Sequence, residues 1–148
     1  MTLGNTNSID QANKSDVKFV LNWCGLGDAR IENVNHSLVS ARSFNGDHLD
    51  AYSIKVSSIT VEELEKGNGN LGQWHRCDSL PVILSEAVQF VSISQEDIKW
   101  FPNEEELRTK NFYVYPWSIY CTGISPSGAE LIFVNPSENI VYFISSKT

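Results

Sequence analysis

Two apolar runs late in the chain, Ala129–Val134 (broken only by Glu130) and Ile140–Ile144, constrain the fold more than any other feature. Between them stands Asn135-Pro136-Ser137-Glu138-Asn139, a spacer of turn-forming residues. Turn formers flanked by β-branched and aromatic runs are a hairpin signal. Successive side chains of a strand point to opposite faces, so a run that is apolar at odd and even positions leaves no face for water. Such strands belong in the centre of a sheet covered on both sides, or on one side and by a partner. A pair this close to the end of the sequence would also suit a sheet edge, where a second copy adds to it and makes a homodimer.

The rest of the chain fits around that pair. Residues 1–15 are polar and without periodicity, and read as a flexible tail. From Val17 the alternation Val17, Phe19, Leu21, Trp23 predicts a strand, and Gly25 and Gly27 a turn. The stretch 29–44 fits neither period well. A strand over 37–44 followed by Asn45-Gly46 and a half-exposed strand over 50–58 predicts a hairpin.

Helices are expected in the middle. Thr60 with Glu63 has the spacing of a capping box, with Gly67 as a left-handed stop. A longer helix is expected from Asp78 or Ser79, with Pro81 in its first turn and Leu80, Leu84, Ala87, Val88 and Val91 as its core stripe. Ser94 with Asp97 and Asn103 with Glu106 suggest two short helical turns. Phe112–Cys121 then reads as strand. Strands, helices and strands again, without βαβ alternation, predict an α+β fold. The expectation is one domain over 16–148, with a largely antiparallel sheet of about 5–6 strands and helices inserted between an N-terminal and a C-terminal strand group.

Composition narrows the function classes. The chain has 148 residues, a formal net charge of −7 and 41% hydrophobic residues. That length suffices for one core burying about 68–70% of the unfolded chain's surface. The negative charge argues against nucleic acid or an anionic membrane as partner. The N-terminus lacks the basic start and apolar run of a signal peptide, and no window has the ~18 apolar residues of a membrane span, so a cytoplasmic address is expected. Cys24, Cys77 and Cys121 follow no metal or redox spacing and read as reduced thiols.

Motifs for chemistry are weak. Gly67-Asn68-Gly69-Asn70-Leu71-Gly72 matches G-x-G-x-x-G, but a helix precedes it where a dinucleotide site needs a strand, so it reads as an interhelical loop. Asp47-His48-Leu49-Asp50 reads as a solvated loop, and His36, His48 and His75 are too dispersed for a metal-ligand pattern. No cofactor is implied. Cys77, two residues from His75 and just before a predicted helix start, is a candidate nucleophile for a hydrolase that would recruit a distant His.

Two features remain. Glu96, Asp97, Glu104, Glu105 and Glu106 form an acidic segment, and Trp100, Phe101, Phe112, Tyr113, Tyr115, Trp117 and Tyr120 an aromatic one. One long helix covers only one face of an aromatic strand, which leaves Tyr and Trp outward, and these residues are enriched at interface hot spots. The expected function is non-catalytic binding of another, basic protein, in concrete form an intracellular inhibitor or immunity-type protein that occludes a nuclease-like toxin. Its expected interface is Trp100, Glu104, Glu105, Glu106, Tyr113 and Trp117. The alternatives are the Cys77 hydrolase and a small-ligand module that stacks Trp and Tyr on its ligand.

Overall fold

The structure, a computed structural model, describes residues 12–40, 46–66 and 73–148. The chain runs α1 (Lys14–Trp23), a short helical turn (Asp28–Arg30), β1 (Ile31–Val39), β2 (His48–Val56), α2 (Val61–Glu65), β3 (His75–Arg76), α3 (Val82–Ser94), α4 (Glu104–Leu107), β4 (Tyr113–Thr122), β5 (Ser125–Asn135) and β6 (Ile140–Lys147). The strands form one antiparallel sheet in the order β1-β2-β6-β5-β4-β3. This is the single α+β domain expected from the sequence.

The C-terminal hairpin is where its apolar runs require, in the middle of the sheet. Its turn is tied by Glu138 N–H donating to the Asn135 carbonyl at 3.2 Å, and Asn139 takes a φ of 55°, which Asn tolerates better than most residues. Asn139 also fastens the turn to the end of β2, its carbonyl accepting from Val56 N–H at 3.0 Å. Both hairpin strands are flanked, so a second copy has no edge to join there; the outer strands are β1 and β3.

Each face of the sheet has its own core. Ile132, Val134, Val141 and Phe143 pack with Tyr52, Ile54 and α1's Val17, Val20 and Leu21. The alternate residues Leu131, Phe133, Tyr142 and Ile144 pack with α3's Leu84, Ala87, Val88 and Val91. The arrangement has three layers, helix on sheet on helix.

The layer over the first face comes from the segment expected to be a strand. Residues Lys14–Trp23 are helical because Asn13 and Asp16 close a capping box, Asn13 Oδ1 accepting from Asp16 N–H at 3.2 Å and Asp16 Oδ2 from Asn13 N–H at 2.8 Å. Val17, Val20 and Leu21 are then buried at helical spacing, while the period-2 set shares its residues Val17 and Leu21 with that stripe. The helix stops in a Schellman motif: Gly25 has φ 82°, its N–H donates to the Asn22 carbonyl, and Leu26 N–H reaches back to Leu21. The first element thus begins inside the stretch read as a tail.

Other boundaries shift for local reasons. α3 starts at Val82, not at Asp78 or Ser79, because a residue before proline is pushed out of the helical region and Leu80 precedes Pro81. Asp78 instead pairs with Arg76 at 2.6 Å. Ser94 caps nothing; it ends α3, its hydroxyl donating to the Phe90 carbonyl at 3.0 Å, and plain turns follow. The capping boxes at Thr60 and Asn103 both form. The expected strand over 37–44 is seen as Ile31–Val39, paired with β2; positions 41–45 and the glycine-rich 67–72 lie outside the described residues. No helix among the described residues is long and apolar enough to cross a membrane.

Candidate functional site

The acidic segment is built on α4, whose first three residues are Glu104, Glu105 and Glu106. Carboxylates are favoured there because the first-turn amides have no helical partner. Glu106 closes the capping box, accepting from Asn103 N–H at 2.9 Å. Glu104 accepts from Arg108 Nε at 2.8 Å, and Arg108 in turn donates to the hydroxyl and carbonyl of Ser85 at 2.9 and 2.8 Å, which binds α4 to α3. Glu105 is exposed and has no hydrogen-bond or ion-pair partner among the described residues. Asn103, Glu104, Glu105 and Arg108 line a depression of about 640 Å³. Trp100 belongs to the same face, half-buried against the α3 core, with its ring stacked on His36 at 5.1 Å and 12°.

The rings of β4 are elsewhere. Tyr113 is only 4% exposed and packs in the core under α1, which removes it from any surface. Its hydroxyl donates to Glu65 at 2.7 Å. Burial first, then that carboxylate, pushes the phenol up to about 12, so it stays a donor at neutral pH. Trp117 is 41% exposed but lies on the Trp23 ring at 4.5 Å and 9°, where a bulge between Pro116 and Ser118 turns the strand. The face that one long helix could not explain is covered by α1 at Tyr113, while Trp117 and Tyr120, the latter 50% exposed, remain partly outward. Trp100, Glu104, Glu105 and Glu106 gather on the α3 face, and Tyr113 and Trp117 on the other.

Cys77 is 2% exposed and burial pushes its thiol up to about 12, as burial also does for Cys24. A thiol buried and held protonated is a weaker nucleophile than an exposed one. Cys121 is exposed. A maleimide should therefore label Cys121 alone in the native protein and all three thiols in denaturant. Peptide mapping that finds Cys77 labelled at the Cys121 rate would contradict its burial.

One polar chain escaped sequence reasoning. His48 Nε2 lies 2.8 Å from Ser145 Oγ, and its Nδ1 lies 2.8 Å from the Gly46 carbonyl. Ser145 Oγ donates to Glu130 Oε2 at 3.2 Å, and Ser118 Oγ to Glu130 Oε1 at 2.8 Å. The four residues sit on four adjacent strands, β2, β6, β5 and β4, and meet only through the register. The sequence signal was slight: polar residues interrupting apolar strands. The chain satisfies buried polar atoms, Ser145 being among the buried residues, and links an imidazole to a carboxylate through one hydroxyl. Among the described residues no group of three or more His, Cys, Asp or Glu is arranged to hold a metal ion. Comparison with known proteins gives no family name: no protein-family model, curated protein or solved structure matches the chain.

Proposed function

We propose that this protein works by binding another protein, a basic one, on the α3–α4 side of the sheet, and acts as an inhibitor that covers its partner's functional surface. The observation that supports the reading is the depression lined by Asn103, Glu104, Glu105 and Arg108 in a chain of net charge −7. Glu105 offers an exposed carboxylate there, and Trp100 a ring with one face already held by His36. Glu104 and Glu106 hold the helix, yet their charge still adds to the field that steers a cation. The address that goes with this reading is cytoplasmic, where free thiols persist.

The test is affinity capture from the source cell at about 50 mM and about 500 mM salt, a range that screens surface charge strongly. The expected result is a basic protein held at low salt by the native chain and by Glu62→Lys on α2, but associating at least about tenfold more slowly with Glu105→Lys. Trp100→Ala should shorten the life of the complex. Equal capture by Glu105→Lys and the native chain at both salts would refute the proposal.

A further inference from the structure

A groove lies between the outer side of α3 and the end of the β4–β5 hairpin. Its volume is about 200 Å³, and Glu86, Gln89, Phe90, Ile93, Ser125 and Pro126 line it. α3 is apolar on more sides than a helix lying on one sheet requires. Its core stripe is Leu84, Ala87, Val88 and Val91, yet Val82 and Ile93 on its exposed stripe are 76% and 61% accessible. Ile124, 93% exposed at the hairpin turn, stands next to the lining residue Ser125. Single apolar residues on a surface need no explanation, but several gathered around a concavity mark an interaction site.

The α3 wall and its continuation carry one sign of charge. Residues 86–97 hold Glu86, Glu96 and Asp97 and no Lys, Arg or His. All three carboxylates are exposed, and none has a hydrogen-bond or ion-pair partner among the described residues. An extended segment would find little backbone to pair with, because Ser125 is already paired with Thr122 in the ladder and Pro126 has no N–H. A helix satisfies its own backbone and offers side chains alone, which is what a groove walled by side chains takes. A second copy is disfavoured: a two-fold contact would set the same three carboxylates against themselves in a chain of net charge −7.

We propose that this groove receives an amphipathic helix of a basic partner protein. The apolar stripe of that helix lies on Phe90, Ile93, Ile124 and Pro126, and its Lys or Arg residues lie beside Glu86, Glu96 and Asp97. The inference rests on the reading of the partner as basic and names the segment that the partner presents.

The probe is a dye-labelled peptide of about 14 residues with Leu and Lys placed at helical period. One control has the same composition with Leu and Lys alternating, and the other keeps the helical period with Glu in place of Lys. Fluorescence anisotropy on the whole chain should show the probe bound at least about tenfold more tightly than either control. Ile93→Ser combined with Ile124→Ser should weaken it at least about tenfold without moving the urea midpoint, since both side chains are exposed. Equal binding of the two Leu–Lys peptides, or unchanged affinity in the doubly substituted chain, would overturn the proposal. A dimer that the same two substitutions dissolve, read by sedimentation equilibrium, would give the groove to a second copy and overturn it too. The protein-binding reading is judged separately by Glu105→Lys on the natural partner, so either can fail alone.

Discussion

Replacing Phe133 by alanine should lower stability by about 3–5 kcal/mol, read as a shift in the urea midpoint at unchanged slope. Phe133 is among the largest fully buried side chains and sits on β5, in the interior of the sheet. Its ring faces the α3 layer and meets Phe101 edge-on at 6.2 Å and 84°. Truncation opens a cavity between two rigid layers, a sheet strand below and a helix above, that cannot close by small movements. The matched control is Ile124→Ala at the β4–β5 turn: that side chain is 93% exposed, and the substitution should stay within about 0.5 kcal/mol. Equal midpoints for the two variants would mean that the α3 core is not packed as described.

Replacing Arg30 by alanine should cost about 2–3 kcal/mol, more than an ordinary surface ion pair. Its guanidinium donates to the Leu26 carbonyl at 2.8 Å, to the Ser58 carbonyl at 3.2 Å and to both oxygens of Glu63. One side chain thus joins the turn after α1, the end of β2 and the start of α2. Both partners are a little over one-quarter exposed, which limits the effect without abolishing it. The pair also predicts a pH dependence. Arg30 beside it, helped by the Thr60 amide and hydroxyl, holds the Glu63 carboxyl down at about 2 against the opposing effect of burial. In the unfolded chain a glutamate titrates near ~4.3, so the stabilisation is complete above that pH and fades as pH falls toward 2. Urea midpoints at about pH 7, about pH 4 and about pH 2.5 should show Glu63→Gln far below the native protein at the first and converging with it at the last. A constant gap across the series would show that the Glu63 charge is not what the pair contributes.

Local signals in the sequence were reliable where a few neighbouring residues decide the outcome. The spacer 135–139, the Thr60–Glu63 and Asn103–Glu106 boxes and the α3 stripe were readable because turns, caps and helix faces are set within a handful of positions. The segment Val17–Trp23 was misread because its apolar residues satisfy two periods at once, and the deciding evidence lay just outside the window, in Asn13 and Gly25. From that one error came the expectation of Tyr113 as an outward ring, whereas Trp117 and Tyr120 of β4 are exposed as expected. With α1 absent, Tyr113 and Trp117 had nothing to cover them; with it present, Tyr113 is core and Trp117 stacks on Trp23. The run of acidic residues was legible in the sequence, but its division into structural and unpartnered members was not, since Arg108, Ser85 and the cap bonds act only in three dimensions. The His48–Ser145–Glu130–Ser118 chain was out of reach for the same reason: its members are scattered along the chain, and only strand register gathers them.

The position of β6 has a consequence for biogenesis. It is the bridge between β2 on one side and β5 on the other, and it follows every segment it joins. A growing polypeptide can assemble the β1–β2 ribbon early and add the helices as they emerge, yet the two halves of the sheet cannot fuse until residues 140–147 have cleared the ribosome. Until then β2 and β5 each show an open flank, the kind of unpaired margin that recruits other chains. The sheet is complete only once β6 docks, so the steps before that docking are those in which a chaperone matters most to this protein.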